Sequence, residues 1–483
     1  MTSLKSIHFI GIGGIGMSSL ARYFLALNRV EGKAQKRAVS GSDIAESGIT
    51  RKLRKEGVKV QIGHKKGHIS GQMGLVVYSQ AIKPDNPELK EARRLGIRAI
   101  SYPEAVGELT EKYTTIAVSG AHGKSTTTAI AGLILKKAGL DPTIIVGTEL
   151  KQLSDSNFRM GRSQYLVLEA DEFGRAFHHY SPAVAVITNI DREHLDVYKN
   201  LAGAQKAFLK FMDRVRGGGT LILNKDDAPL ASLAAKIKKI ARNHKLKVIW
   251  YSVHGNTAKK IARVIKVPGI HNISNAVAAY KAGRMLGAPH KKILSAIGEY
   301  QGASRRFEYR GNTRFMVHGS WIKALIYDDY AHHPTEIRAT LQAFREKFPR
   351  SPLVCVFQPH QAKRLAALFK EFQSAFAIAD ITLILPIYKV TGRDFSLSSR
   401  RKPGSSSRFT SETLVRAMQK NQPEKLIFYL ESPKHLKSAL KTLLSSSFES
   451  RTSNLNPPVI IMMGAGDIVD YTKSLVNEQQ KRR

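Results

Sequence analysis

Short apolar runs of strand length alternate with stretches of helical periodicity along the whole chain. The run LKSIHFI at 4–10 predicts a buried strand, GIGGIG a tight turn, and MSSLARYFLAL at 17–27 a helix. The alternation continues, with strands expected at RAVSGSD, VKVQIG, GLVVYS and RAIS and helices over 47–56 and 86–95. Elements in this order are typical of an α/β fold with a parallel sheet.

The same order of elements restarts twice further along the chain. YTTIAVSG leads through a glycine turn into the predicted helix STTTAIAGLILKKAG, and strands are expected at YLVLEADE, PAVAVITNI and GGTLILN. A third unit begins near Phe315, with predicted strands WIKALIYDD, PLVCVFQP, ITLILPI, LIFYL and VIIMMGAG and helices over 334–348 and 361–378. We therefore predict three domains, over 1–112, 113–310 and 311–483. Polar segments 396–411 and 445–458 predict exposed loops.

Composition limits the class of protein. The 483 residues contain 76 Lys+Arg and 38 Asp+Glu, so the formal net charge is +38, and 42% hydrophobic residues are enough for packed cores. One cysteine excludes a disulfide framework and fits a reducing, cytoplasmic compartment. Cys355 lies in the apolar run LVCVF, so we expect a buried strand residue. No apolar run reaches 18 residues, so no membrane span is expected.

The positive charge favours an anionic partner but does not identify it. Nucleic acid would be the first choice from the isoelectric point of about 10.2. The basic residues are scattered along the chain, however, and neither an aromatic RNA-binding signature nor zinc-finger spacing is present. We therefore expect no nucleic-acid partner, and a non-catalytic basic binding protein remains the alternative from another class.

Two glycine turns carry the candidate chemistry. GIGGIG between a strand and a helix is typical of nucleotide binding, and Asp43 at the next strand end could accept ribose hydrogen bonds. A tight turn without a ligand is the alternative. GAHGKSTTT at 120–128 predicts a phosphate loop, with Lys124 on the β and γ oxygens and Ser125 on Mg²⁺, although only two residues separate its glycines.

Acidic and imidazole groups follow the next two strands. EADE places Glu169, Asp171 and Glu172 at a strand end, and TNIDREHLD brings His194 to the same predicted edge of the sheet. Mg²⁺ prefers oxygen ligands, so these residues are candidates for a metal site beside the phosphate loop. A structural histidine is the alternative for His194.

Ten ordered segments make the chain similar to the Mur ligases, ATP-dependent amide-forming enzymes of peptidoglycan precursor synthesis: IHFIGIGGIGMSSLA, SGSD, GAHGKSTTT, EADE, TNIDREHLD, GIHNISNA, QGASRRFE, YDDYAHHPTEI, FQPH and MGAGDI. The resemblance covers all three predicted domains. It implies a Rossmann-like N-terminal domain for a UDP-sugar, a central P-loop ATPase-type domain, and a Rossmann-like C-terminal domain on the amino-acid side. It also implies that ATP and Mg²⁺ serve to join L-alanine to the lactyl carboxylate of UDP-N-acetylmuramate through an acyl phosphate, in a monomer or homodimer without a membrane partner.

The resemblance also implies roles for individual residues. The UDP-sugar would lie against Gly11, Gly13, Gly14, Gly16, Asp43 and Ser79. ATP would lie against Gly120, Ala121, His122, Gly123, Lys124, Ser125, Thr126, Asn272 and Asn275. Mg²⁺ would be held by Ser125, Glu169 and His194, and catalysis would use Lys124, His194, Arg306, Asp329, His332 and His333. The amino acid would lie near His360 and Arg364.

Some positions depart from the family pattern. Ala121 and Ser125 stand where threonine is usual, and Gln361 stands directly after FQPH, where an arginine-rich stretch usually begins. The strictness of the preference for L-alanine therefore stays open, as does a recycling ligase that adds a whole peptide. Which of His332, His333 and His360 is the general base also stays open. No carbamylated lysine is expected, since the family register falls on Leu209.

Overall fold

The computed structural model describes residues 6–30, 38–388, 408–447 and 456–477. Most of the predicted loops 396–411 and 445–458 lies outside these ranges. So does most of the segment GKAQKRA at 32–38, a long turn between the first predicted helix and the second strand to which the sequence assigns no role. The described part of the chain forms three sheets and divides into two compact units, Met1–Lys266 with Asn272–Gln301, and Val267–His271 with Gly302–Arg483. Within the described ranges, none of the helices combines the length and apolar character needed to cross a bilayer.

The first sheet is fully parallel, in the order β3-β2-β1-β4-β5. Its strands are β1 (Ser6–Ile10), β2 (Ala38–Asp43), β3 (Lys59–Ile62), β4 (Leu75–Tyr78) and β5 (Ala99–Ser101). Its helices are α1 (Ile15–Val30), α2 (Gly48–Lys55), α3 (Pro87–Arg94) and α4 (Tyr102–Lys112). The predicted strand, glycine turn and helix at the N-terminus are confirmed, because the apolar residues of β1 are buried and its turn leads directly into α1.

The second sheet has seven strands, in the order β12-β11-β10-β6-β9-β7-β8. They are β6 (Thr114–Ser119), β7 (Thr143–Leu150), β8 (Ser156–Arg159), β9 (Tyr165–Glu169), β10 (Val184–Ile187), β11 (Thr220–Asn224) and β12 (Lys247–Tyr251). The helices that follow are α5 (Lys124–Ala138), α6 (Leu195–Tyr198), α7 (Leu201–Met212), α8 (Ala228–Ala231), α9 (Ala234–Asn243), α10 (Asn256–Ala262), α11 (Ile270–Met285) and α12 (His290–Glu299). The pattern did not predict three of these strands: β7, the antiparallel edge strand β8, and β12.

The third sheet has the order β13-β14-β18-β15-β16-β17, parallel except for the hairpin of β13 and β14. Its strands are β13 (Glu308–Val317), β14 (Ser320–Asp329), β15 (Leu353–Phe357), β16 (Ile381–Ile384), β17 (Leu426–Tyr429) and β18 (Val459–Met463). Its helices are α13 (Pro334–Lys347), α14 (Ala362–Ala367), α15 (Phe369–Ala375), α16 (Ser411–Asn421), α17 (Leu436–Ser447) and α18 (Ile468–Asn477).

Three details refine the sequence-based expectations. The helix predicted over 361–378 is two helices, because Leu368 leaves helical geometry at φ −120° and ψ 24°. The loop predicted over 445–458 is wrong at its start, since α17 continues to Ser447. Cys355 is fully buried in β15, as predicted. The α/β architecture with three sheets is confirmed, whereas the boundaries at 112 and 310 stay a prediction.

Candidate active site

The first glycine turn is held by the end of β2. The Ser42 carbonyl accepts hydrogen bonds from Gly11 N and Ile12 N at 2.8 and 3.0 Å, and Asp43 Oδ2 accepts one from Gly13 N at 2.7 Å. A Cβ at Gly13 would lie 2.8 Å from Asp43 Oδ2, so a larger residue at this position would displace the carboxylate that holds the turn. One carboxylate oxygen of Asp43 therefore shapes the turn itself, which the sequence did not predict.

The remaining residues predicted for the UDP-sugar lie around the same turn. Ser79 follows β4, and its Cβ is 3.0 Å from the Cβ that Gly11 would carry. At Gly16, an added Cβ would meet the Tyr102 hydroxyl at 2.7 Å. The structure thus brings the predicted residues of β1, β2 and β4 together at one edge of the sheet, where ligands of parallel sheets bind.

The second glycine turn joins the buried strand β6 to α5. Gly120 has φ +142°, and a Cβ there would lie 2.0 Å from Thr188 Oγ1. Gly123 has φ +80°, and its Cβ would lie 2.3 Å from Asn275 Oδ1. Between them, His122 N donates to Asn189 Oδ1 at 2.8 Å. Because the turn opens directly into a 15-residue helix, its backbone N–H groups and the helix dipole form an anion site.

Lys124, the first residue of α5, is folded back onto its own loop. Its Nζ donates to Gly120 O at 2.8 Å and to Ala121 O at 3.2 Å, and it pairs with Glu172 Oε2 at 2.8 Å. Glu172 is only 2% exposed. Burial alone would raise the pKa of Glu172, but the Lys124 charge and the contact with His194 outweigh it and lower that pKa to about 2.

Glu172 is one of the acidic residues of EADE that the sequence makes candidates for a metal site, but its contact with Lys124 was not predicted. Only the fold shows that Glu172 pairs with Lys124, whereas Glu169 accepts hydrogen bonds from Ser125 and Gly147. The Tyr198 hydroxyl donates to the Glu172 carbonyl and fixes this turn from α6. The signal in the sequence that could have indicated this contact was the spacing of Glu169 and Glu172, two acidic residues three positions apart at a strand end.

The predicted metal ligands form two groups in the structure. Ser125 Oγ donates to Glu169 Oε1 at 2.9 Å, and Gly147 N donates to Glu169 Oε2 at 2.6 Å. His194, Asp171 and Glu172 form the second group, with ligand atoms within 4.8 Å of one another. Burial raises the pKa of Glu169, so a cation at its carboxylate would be stabilising. A hydroxyl beside carboxylates is a donor set that fits Mg²⁺.

His194 has an unusual backbone. Its φ is +50°, in the left-handed region, and its ring packs on Phe173 with centroids 5.0 Å apart. Burial would lower its pKa, but the hydrogen bond and charge of Glu172 at 3.4 Å raise it. Asn272 and Asn275, in α11, are buried at 6% exposure each, and Asn275 packs against Gly123 of the phosphate loop.

The C-terminal unit gathers a second set of predicted residues. The rings of His332 and His360 lie 6.0 Å apart, and Arg364 Nη1 donates to the His360 carbonyl at 3.2 Å. His360 also stacks on Tyr388 at 5.6 Å, and His332 Nδ1 lies 3.3 Å from Glu336 Oε2. Tyr388 and Glu336 were not predicted, because only the fold brings them to these histidines.

Arg306, Asp329 and His333 have well-defined partners in the same unit. The Arg306 guanidinium lies 5.0 Å from the Tyr330 ring centre and 3.9 Å from Glu336. Asp329 accepts from Phe307 N at 2.8 Å and from Ala331 N at 2.9 Å. His333 caps α13 by accepting from Thr335 N.

Gln361 stands at the start of α14 with φ +71°, a strained conformation for a residue other than glycine. Its backbone N donates to the Tyr388 carbonyl at 3.3 Å. The departure from the family pattern therefore coincides with a strained backbone beside His360.

Comparisons with known proteins agree with this arrangement. Models of the Mur ligase family match three parts of the chain: the catalytic domain over 6–114, the middle domain over 118–283 and the glutamate ligase domain over 305–452. The chain belongs to the Mur ligase family, whose members are ATP-dependent.

Individual relatives narrow the resemblance further. The chain is 39% identical over 407 residues to a UDP-N-acetylmuramate–L-alanine ligase of Aquifex aeolicus, covering 80% of this chain and 84% of the relative. It is 34% identical to the enzyme of the same name from Sulfurihydrogenibium, with 98% and 97% covered. Among solved structures, UDP-N-acetylmuramate-alanine ligase MurC from Thermotoga maritima matches with a TM-score of 0.73 and 26% identity over 99% of this chain and 100% of that one.

Proposed function

We propose that this protein joins L-alanine to the lactyl carboxylate of UDP-N-acetylmuramate at the expense of ATP, in peptidoglycan precursor synthesis. The observation that carries the proposal is the presence in one compact unit of two glycine turns with different chemistry. The first turn is held by Asp43, and its GIGGIG segment has no cationic side chain. The second turn carries Lys124 and Ser125 beside the carboxylates of Glu172 and Glu169. The alanine-adding relatives cover nearly the whole chain.

A carboxylate is a poor acylating agent, so the γ-phosphoryl group is first transferred to the lactyl carboxylate. The amine of L-alanine then attacks the acyl phosphate, and phosphate leaves from the tetrahedral intermediate. Both steps gather negative charge, so the protein acts by positioning and by electrostatic stabilisation. The phosphate loop holds the ATP phosphates on its N–H groups, and Lys124 exchanges its contact with Glu172 for the γ oxygens.

Mg²⁺ would be held by Ser125 and Glu169, with His194 and its acidic neighbours as the second group, and would neutralise charge on the phosphate oxygens. The contacts within the C-terminal unit support different roles for its predicted residues. Asp329 and His333 bind backbone N–H groups and act as positioning residues. His332 and His360 are the candidates to accept the amine proton, with Arg364 beside them for the amino-acid carboxylate.

Phosphate release from ATP tests the proposal. Release is measured with UDP-N-acetylmuramate and Mg²⁺, with L-alanine, glycine, L-serine or a tripeptide as acceptor, and with Lys124→Ala as the inactive control. We expect release with L-alanine that Lys124→Ala abolishes. Release with the tripeptide alone would instead indicate the recycling ligase. No release with any acceptor, together with salt-dependent DNA binding, would overturn the catalytic proposal.

A further inference from the structure

A polar cluster is buried in the first sheet, away from the phosphate loop. Its centre is the Glu88 carboxylate at the N-terminal end of α3, which is fully buried. It accepts hydrogen bonds from Ser42 Oγ at 2.5 Å and from His68 Nδ1, and His64 Nδ1 lies at 3.2 Å. His8 Nε2, also fully buried, faces it at 3.9 Å. We call Glu88, His8, His64, His68 and Ser42 the Glu88 cluster.

The cluster is unusual for a sheet interior. Burying an ionised carboxylate is costly unless donors surround it. Burial alone would raise the pKa of Glu88, but the nearby His8 imidazole and the hydrogen bonds from Ser42 and His68 outweigh it and lower that pKa to about 2. His8 Nδ1 lies 2.9 Å from Ser40 Oγ, and its Nε2, which makes no hydrogen bond within the described residues, faces the carboxylate at 3.9 Å. Apolar residues would pack this space more cheaply, so the cluster calls for a role beyond stability.

The cluster touches the first glycine turn through one residue. Ser42 gives its hydroxyl to Glu88, while its carbonyl accepts from Gly11 N and Ile12 N. The next residue, Asp43, binds Gly13 N with its carboxylate, and its carbonyl accepts from Gly63 N at 2.8 Å. His64, a member of the cluster, directly follows Gly63. The cluster therefore contacts the end of β2 from two sides, through Ser42 and through the segment at Gly63.

We propose that Glu88 is a positioning residue for UDP-sugar binding, because it fixes the end of β2 and thereby the three backbone N–H groups of the glycine turn. The proposal rests on the proposed function in assigning the UDP-sugar to this turn. Glu88 lies behind the turn and acts on the ligand only through Ser42 and Asp43. Its loss therefore weakens binding of the UDP-sugar and leaves the phosphoryl-transfer groups in place.

Two variants and one control test this. Glu88→Gln keeps the side-chain volume but places an NH₂ group against donors. Ser42→Ala removes the hydroxyl that donates to Glu88 and that lies 2.9 Å from His64 Nδ1. Glu91→Gln, one turn further along α3 and paired with Arg94 outside the cluster, is the matched control. We expect KM for UDP-N-acetylmuramate to rise about tenfold in both variants, the size of one lost hydrogen bond. The kcat and the KM for ATP should stay near wild type, and Glu91→Gln should change nothing.

Amide hydrogen exchange at Gly11, Ile12 and Gly13 gives a readout that needs no substrate. Exchange should be faster at these amides in Glu88→Gln and Ser42→Ala and unchanged in Glu91→Gln. If Glu88→Gln does not fold, Ser42→Ala decides, because it removes a single oxygen. Unchanged exchange and unchanged KM in the folded variants would overturn the proposal. If wild-type protein fails to bind UDP-N-acetylmuramate in calorimetry, the proposed function fails instead, and the exchange rates still decide whether Glu88 fixes the turn.

Discussion

Replacing Lys124 by alanine should destabilise the fold as well as abolish activity. Lys124 Nζ lies 2.8 Å from Glu172 Oε2, and the two side chains are 14% and 2% exposed. Removing one partner of a buried ion pair typically costs about 3–5 kcal/mol, since the other charge stays buried. His194 remains at 3.4 Å from Glu172 and retains part of the stabilisation, so we expect a loss of about 2–3 kcal/mol.

The pKa of Glu172 gives a second measure of the same interaction. Its fall from 4.5 to about 2 corresponds to about 3 kcal/mol of preference for the charged form. Burial opposes this fall, and Lys124 is the largest group that favours it. Lys124 and His194 together favour the charged carboxylate, so the penalty in Lys124→Ala comes from the charge of Glu172 that stays buried. Adding Glu172→Gln to Lys124→Ala should therefore recover most of the lost stability.

Urea unfolding of the wild type, Lys124→Ala and the double variant measures these differences. Lys136→Ala is the control, because Lys136 is an exposed residue of the same helix. It should unfold within about 0.5 kcal/mol of the wild type. Equal stability of Lys124→Ala and Lys136→Ala would refute the reasoning, and so would a double variant that is less stable than Lys124→Ala.

Further predictions concern the phosphate loop, the contacts between Asn157 and α1, and the unfolding of the protein at low pH. Ser125→Ala should raise the Mg²⁺ concentration for half-maximal phosphate release about tenfold, whereas Ser125→Thr should not. Gly120→Ala, whose Cβ would lie 2.0 Å from Thr188 Oγ1, should abolish ADP binding in calorimetry. Asn157→Ala should cost about 1–2 kcal/mol in thermal unfolding, because it leaves Nη1 of the buried Arg22 without its acceptor while Glu56 still binds the rest of the guanidinium. The lowered pKa of Glu88 stabilises the fold above pH 4.5, and this contribution is lost as the pH falls toward 2, so Glu88→Gln should flatten the acid limb of an unfolding titration.

The local part of the site could be predicted from the sequence, because each glycine turn is encoded within about ten residues. An apolar strand, glycines and a helical pattern are enough to place Lys124 and Ser125 at a helix N-terminus. The partners could not be predicted in the same way. Glu172 reaches Lys124 across 48 positions, and Tyr388 reaches His360 only because β16 lies beside β15. Sequence spacing carries no information on such contacts until the order of the strands is known.

The edge strand β8 and the break between α14 and α15 could not be predicted from the hydrophobic pattern either. β8 is short and pairs antiparallel with β7, so its apolar residues do not form the run that marks a buried parallel strand. The break at Leu368 lies inside a stretch whose periodicity is helical throughout, and it arises where α14 ends and α15 turns toward α13. The missed strand and the divided helix have one cause, since tertiary packing overrode local preference at both places.

Asn157 connects the second sheet to α1 of the first sheet within the first compact unit, and this contact has a consequence for the mechanism. Asn157, on edge strand β8 of the second sheet, donates to Ile15 O at 2.6 Å and accepts from Arg22 Nη1 at 2.6 Å. Both partners belong to α1, the helix that the first glycine turn opens. Gln80, just after β4, donates to Gly174 O beyond the EADE segment at 3.2 Å. The two turns are thereby fixed relative to each other inside one unit.

A fixed separation matters because phosphoryl transfer requires the carboxylate oxygen and the γ-phosphorus to be held about 3–3.5 Å apart and in line, and a misplacement of about 1 Å can slow the reaction about a hundredfold. If the UDP-sugar is bound at one turn and ATP at the other, movement at the Asn157 contacts misplaces the reacting atoms without weakening either ligand's own contacts. Loosening Asn157 should then lower kcat at saturating substrates while both KM values stay near wild type. That pattern is the reverse of the one expected for Glu88, which lies behind a single turn, so the two positions separate anchoring of one ligand from alignment of two.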